Sequence, residues 1–89
     1  MNAKARTIRE TSEVVSAVDA ASAKYPRFND GWEAWTWKIA RGPMLGYEHK
    51  GYLIFKSYDA HSQYGVPETT ILYKIIDECL FEIISVFVK

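Results

Sequence analysis

Lysines and tyrosines recur along the strand-forming C-terminal part of this sequence. Lys56 shares one face of a predicted strand with Tyr52 and Tyr58. Lys74 is flanked by apolar residues, and Lys89 ends the last apolar run. In a sheet with one covered face, this alternation places the lysines on the open face. Lysines bind phosphates and tyrosines stack on bases, so the pattern predicts a nucleic-acid surface; an ordinary solvated face gives the same pattern.

A second group of candidate residues lies in one predicted helix, where three tryptophans fall within six positions. Trp32 and Trp35 share a stripe with Ile39, which predicts that both are in the core. Trp37 points about 140° away from Trp32, on the side that carries Arg41. Exposed tryptophan and arginine are enriched at protein-binding hot spots, although small domains also use tryptophan to cover the rim of a core. Trp37 and Arg41 are therefore the candidate contact for a partner helix or for a second copy of the chain.

Metal binding and nucleophilic catalysis have little support in the sequence. His49 and His61 lie in loop-like segments without the further ligands that a metal site needs. Cys79 is the only cysteine, which excludes an intrachain disulfide, and its acidic neighbours Asp77 and Glu78 disfavour a reactive thiolate. We expect no metal and no cofactor.

Length and composition predict one soluble domain covering residues 1–89. Hydrophobic residues make up 48% of the 89 residues and charged residues 25%, which is typical of globular chains. The formal net charge of zero excludes a global field that attracts nucleic acid or membranes, so such contacts would need a local patch. A cytoplasmic location without a membrane span is expected.

The elements that must position these residues follow from periodicity and punctuation. A short edge strand or an ordered arm within 4–10 precedes two helices. The first helix has Ser12 as N-cap and ends at Tyr25; the second is capped by Asn29 or Asp30 and ends at Arg41. Three strands then cover 52–58, 69–76 and 80–88, with a loop at 59–68 and a tight turn between the last two strands. Helices followed by strands indicate an α+β fold with a helical hairpin on a C-terminal antiparallel sheet.

The order of these elements, together with "GYLIFKSY" and "TTILYKIIDECLFEIISVFVK", resembles the RelE/ParE superfamily, the toxins of bacterial type II toxin–antitoxin modules. The resemblance covers roughly residues 6–89 and implies a RelE/ParE-like fold. In that family an apolar strand, a short acidic turn and a second apolar strand with a basic tail end the chain. Here "TILYKI", "IDEC" and "FEIISVFVK" occupy those places.

For an active member, the resemblance implies a ribosome-dependent mRNA endoribonuclease. Lys56 and Lys89 would stabilise the charge that develops at the phosphate, and Tyr73 or Tyr58 would transfer a proton. The arginine that ribonuclease members place just before the "VIY"-like stretch falls at Thr70, and all four arginines precede residue 42. Together with the neutral net charge, this favours binding over cleavage.

The expected function is therefore that of a toxin-like component neutralised by an antitoxin protein. Its target is the ribosome and mRNA or, as in ParE-like members, DNA gyrase, and a homodimer is a further possible assembly. The alternative is a catalytically inactive domain of the same fold that serves only as a protein-interaction module.

Overall fold

Two long helices and five strands form the computed structural model of this protein, which describes residues 7–42 and 46–89. The elements in chain order are β1 (Thr7–Glu10), α1 (Ser12–Lys24), α2 (Phe28–Arg41), β2 (Tyr47–His49), β3 (Tyr52–Ser57), α3 (Ala60–Tyr64), β4 (Thr69–Asp77) and β5 (Leu80–Val88). The predicted edge strand is present as β1, and residues 4–6 of that prediction lie outside the described residues. In the described ranges, no helix has the length and apolar character needed to cross a membrane.

The sheet is mixed and has the strand order β1-β5-β4-β3-β2. The predicted α+β class, with two helices packed on a sheet, is confirmed. Strands β2 to β5 are antiparallel neighbours in chain order. Short turns join β2 to β3 and β4 to β5, and the segment with α3 joins β3 to β4. The expectation of a purely antiparallel sheet needs one correction, because β1 pairs with β5 in parallel. All the other helices and strands lie between β1 and β5 in the chain, so the connection is long enough for a parallel pair.

The first helix begins one residue earlier than the predicted cap implies. Thr11, and not Ser12, is the N-cap, because the Thr11 Oγ1 atom accepts a hydrogen bond from the Val14 backbone N–H at 3.3 Å. The helix ends at Lys24, and Tyr25 forms the C-cap in extended geometry before Pro26.

The second helix starts without the side-chain cap that the sequence predicted. It begins at Phe28 after Arg27, whose side chain makes no capping bond. The two predicted caps have other partners: Asn29 accepts a hydrogen bond from Ser22 at 2.9 Å, and Asp30 lies 3.5 Å from the Arg27 guanidinium. Burial of Phe28, which is inaccessible to solvent, fixes the start of this helix instead.

The tryptophan prediction is confirmed, since Trp32 and Trp35 are buried and Trp37 is 56% exposed. Trp35 is held edge-on between Phe28 and Tyr64, with ring centroids 5.9 Å away in each case. Gly31 lies directly beside this indole: an added Cβ would lie 2.8 Å from the Trp35 ring carbons. The glycine therefore weakens the helix locally but leaves room for the largest core side chain.

Two elements were not predicted from the sequence. Strand β2 joins β3 through Lys50 and Gly51, both at positive φ (52° and 84°), which is the backbone of a two-residue hairpin turn. The segment 59–68, predicted as a loop, contains the short helix α3, which ends at Gly65 in left-handed geometry.

Strand alternation divides the sheet into a covered and an open face. Side chains on the covered face contact the helices and build the core; on the strands they are Leu53, Phe55, Ile71, Tyr73, Ile75, Phe81, Ile83, Val86 and Val88. The alternate residues form the open face, on which no described helix packs. The predicted placement of Lys56 and Lys74 on the face opposite the core is confirmed.

Candidate functional site

The open face is organised in rows that the strand registers define. Each row crosses the strands roughly at right angles, and adjacent rows lie about 7 Å apart, two residues along a strand. Three rows are resolved by pairing: Arg9, Glu82 and Lys74; Ser85, Leu72, Ile54 and Tyr47; and Phe87, Thr70 and Lys56. His49 and Tyr52 form a further pair at the β2 edge.

Aromatic rings on this face are open to solvent to an unusual degree. Phe87 is 65% exposed, Tyr47 is 53% exposed and Tyr52 is 38% exposed. Ile54 and Leu72 lie between them in the central row and are half-buried. Exposed rings around a flat aliphatic centre form a platform on which a planar ligand group can stack. We call these five residues the aromatic platform.

The charges beside the aromatic platform are mostly positive. Glu82 is the acidic member of the rows, and the Arg9 Nε atom donates to its carboxylate at 2.7 Å. Lys56 and Lys74 make no ion pair within residues 7–42 and 46–89. A chain with no net charge thus presents two free ammonium groups on one face, which is the local patch that nucleic-acid contact would need.

Tyr73, predicted as a proton-transfer group, lies on the opposite face from Lys56. Its side chain is fully buried in the core, and the ring contacts Phe81 edge-on with centroids 5.8 Å apart. The Tyr73 hydroxyl accepts a hydrogen bond from the Gly46 backbone N–H at 3.2 Å. An added Cβ at Gly46 would lie 2.8 Å from this hydroxyl, so the strand approaches the phenol closely. This position suits a structural tyrosine that anchors the start of β2.

Burial makes Tyr73 a source of alkaline instability. Loss of solvation raises the pKa of the Tyr73 phenol above its ordinary value of 10.0, and the Gly46 hydrogen bond lowers the pKa by less. Above pH 10.0 the unfolded chain therefore releases this proton before the folded protein does, and stability falls with rising pH until the folded pKa is passed. Tyr73→Phe is expected to remove this part of the decline, measured as free energies of unfolding in urea from about pH 8 to 11. Equal slopes for the two proteins would contradict the assignment.

Lys89, the other predicted catalytic lysine, is also separated from Lys56. Its backbone N–H donates to the Glu68 carbonyl at 3.0 Å, and the residue lines a groove beside α1. Lys89 follows the last residue of β5, so strand alternation alone does not place its side chain. The predicted set of Lys56, Lys89 and Tyr73 is therefore not assembled in one place. Tyr58, the other proton-transfer candidate, follows β3 and is 76% exposed.

The two predicted partner-binding residues do lie together. The Arg41 guanidinium lies over the Trp37 ring, 4.0 Å from its centroid, on the outer side of α2. The pair is one helical turn apart, which is the spacing that brings side chains into contact. Contact with a partner at this surface stays a prediction.

Of the three rings in the aromatic platform, Phe87 and Tyr47 were not singled out by the sequence reasoning. Phe87 reads as one more apolar residue of the "SVFV" run, and only its register opposite Thr70 places it on the open face. Tyr47 lies in β2, which is too short to show an alternation. Among the described residues, no three His, Cys, Asp or Glu side chains are grouped closely enough to hold a metal ion.

In comparisons with known proteins, no family model, no curated protein and no solved structure matches the chain.

Proposed function

We propose that this protein is a toxin-like component of a type II toxin–antitoxin module that inhibits translation by binding single-stranded RNA, and that a partner antitoxin neutralises it. The RNA binds on the open face of the sheet. The observation that carries this proposal is the aromatic platform flanked by Lys56 and Lys74, neither of which makes an ion pair in the described part of the chain. Rings stack on bases whatever their identity, and ammonium groups bind the phosphates between them.

Support for the toxin-like part comes from the element order. A helical hairpin followed by antiparallel strands with an acidic turn is the arrangement on which the resemblance to the RelE/ParE superfamily rests. The turn residue Asp77 accepts a hydrogen bond from the Cys79 N–H at 2.7 Å, which fixes the connection between β4 and β5.

Binding is favoured over cleavage by the distribution of the candidate groups. Cleavage at a ribose 2′-hydroxyl needs a cation and a proton-transfer group around one phosphate. Here Tyr73 faces the core, Lys89 lies beside α1, and the open-face arginine Arg9 is already paired with Glu82. A surface that binds RNA without a cation and a proton-transfer group at one phosphate inhibits by covering the RNA, and not by cutting it.

The lysine contribution can be measured through its salt dependence. For a short fluorescent oligouridine, two phosphate contacts predict that log K falls against log salt with a slope of about −1.4, since each contact contributes about −0.7 on single strands. Lys56→Ala and Lys74→Ala are each expected to remove about half of this slope, as followed by fluorescence anisotropy between about 50 and 200 mM salt. Lys38→Ala on α2 is the control and leaves the slope unchanged.

Induced expression in bacteria tests the toxin-like part. The wild-type chain and the Lys38→Ala control are expected to arrest growth and protein synthesis with mRNA intact, and the Lys56→Ala/Lys74→Ala variant to relieve the arrest. Fragmented mRNA would replace the proposal with ribonuclease activity, and induction of DNA-damage signalling would replace it with gyrase inhibition. No effect on growth would leave only an interaction module.

A further inference from the structure

The edge of β5 is only partly covered by its neighbour. Strand β1 pairs with residues Leu80 to Ile83 and then ends. The Thr11 N–H and hydroxyl donate to the carbonyls of Ile83 and Ile84 at 3.4 and 3.5 Å, where the chain turns into α1. From residue 85 to the end of β5, no described strand pairs on this side. The strand therefore has a free edge in its C-terminal half.

The hydrogen-bond pattern identifies which backbone groups lie on that free edge. The Lys89 N–H donates to the Glu68 carbonyl, which flanks the opposed residues Thr69 and Val88. In an antiparallel ladder such a flanking bond marks a pair that exchanges no hydrogen bonds directly. The N–H and C=O groups of Val88, and of Val86 two residues earlier, consequently point away from β4. The backbone N–H and C=O groups of Phe87, between these two valines, point toward β4.

A groove lies beside these same residues. Its volume is about 280 Å³, and Val86 and Val88 of β5 face Ala17, Ala20 and Ala21 of α1 across it. The small alanine side chains leave the space that larger residues on this helix would fill. The valines are only partly buried although they contact the core. An apolar floor is thus continuous with a row of available backbone donors and acceptors.

The rim of the groove has one sign of charge. Lys24 and Lys89 line it, and within 7–42 and 46–89 no acidic side chain does. Neither lysine makes an ion pair among the described residues, and the Lys24 ammonium lies 5.5 Å from the Tyr25 ring centroid. A carboxylate brought between them would gain two charge-assisted contacts.

We propose that this groove is a docking site for an extended, acidic segment of a partner protein, which adds a strand to the free edge of β5. Backbone groups of the segment pair with Val86 and Val88, its small apolar side chains enter the groove, and its carboxylates contact Lys24 and Lys89. Main-chain pairing supplies affinity, and the apolar and acidic alternation supplies selectivity. The proposal does not depend on what the open face binds.

Amide hydrogen exchange of the free protein is the first test. The amide protons of Val86 and Val88 are expected to exchange at least tenfold faster than that of Phe87, which is paired with Thr70. Comparable protection of all three amides would show that the edge is already covered and would overturn the proposal.

A designed peptide is the second test. The probe is a blocked peptide of alternating valine and aspartate, titrated into the isotope-labelled protein and followed by NMR. It is expected to shift the Val86 and Val88 amide signals and to slow their exchange at least tenfold. The same peptide with lysine in place of aspartate, and an aspartate peptide with alternate N-methylated amides, are each expected to bind at least tenfold more weakly. Absence of binding by the aspartate peptide, or equal binding of all three, would overturn the proposal.

Two matched substitutions on α1 locate the site. Ala20 and Ala23 are both exposed alanines, and only Ala20 lines the groove. Ala20→Phe is expected to reduce peptide affinity at least tenfold, whereas Ala23→Phe leaves it unchanged and controls for folding. Lys89→Glu has the same effect as Ala20→Phe, with Lys38→Glu as its control. Sedimentation showing a dimer that Ala20→Phe dissociates would replace the partner segment with a second copy of this chain.

Because the edge and the open face are on different sides of β5, the two proposals fail separately. Loss of peptide binding with RNA binding retained overturns only the docking site. Loss of RNA binding with peptide binding retained overturns only the proposed function.

Discussion

Replacement of Trp35 by alanine is expected to lower the free energy of unfolding by about 3–5 kcal/mol. The indole is 1% exposed, and its removal leaves a cavity between Phe28, Tyr64 and Gly31 that the helix backbone cannot close. A domain of this length has a total stability of roughly 4–13 kcal/mol, so the loss is a large share of it. Urea unfolding followed by far-ultraviolet circular dichroism measures the change.

Trp37→Ala is the matched control, because it removes the same ring from the same helix. With 56% of Trp37 exposed and its main contact the Arg41 guanidinium, the expected loss is below about 1 kcal/mol. Equal destabilisation by the two variants would show that Trp37 is part of the core and would remove it from the candidate partner surface.

Phe87→Ala is expected to weaken binding of a short oligouridine about 5- to 150-fold, the range that corresponds to about 1–3 kcal/mol for one stacked base. The ring is 65% exposed, so its truncation removes little core packing and the folded protein is retained. Fluorescence anisotropy at fixed salt measures the affinity, and urea unfolding checks the fold.

The control for this variant is again Trp37→Ala, which removes an exposed aromatic ring from the helical side of the molecule. RNA affinity is expected to stay unchanged. If Phe87→Ala binds RNA as well as the wild-type chain does, the aromatic platform is not the stacking surface and the proposed function loses its main support.

The sequence carried enough information to predict the long elements and the two faces of the sheet. Alternation in residues 52–58 and 69–76 separated Lys56 and Lys74 from the core side chains, since a strand period of two leaves no other assignment once one face is covered. The 3.6-residue period separated Trp37 from Trp35 in the same way. Both patterns are local, and in a long strand or helix a local pattern predicts correctly which face each side chain lies on.

Short elements and relations between distant segments could not be predicted in this way. Strand β2 has three residues and helix α3 has five, too few to show a period. The parallel pairing of Thr7 with Leu80 joins opposite ends of the sequence and depends on how the helices cross the sheet. The start of α2 followed burial of Phe28 rather than the capping chemistry of Asn29 and Asp30, because tertiary packing outweighs a local propensity.

The candidate site was only partly predictable for the same reason. Lys56 and Lys74 were placed correctly because each lies inside a strand. Tyr73 has the parity of the covered face, one residue from Lys74, and its burial excludes the exposed role that the family resemblance implied. Phe87 is recognised as an open-face residue only through its pairing with Thr70, and this pairing between two strands is not visible in the sequence of either strand alone.

Pairing between β1 and β5 also constrains the order in which this protein can be completed during synthesis. Strand β5 leaves the ribosome after every other described element, so β1 and α1 remain without their sheet partner until β5 has emerged. The nascent α2 carries Phe28, Trp32 and Trp35, which join the core only when the sheet has formed, and these side chains are where a chaperone would act.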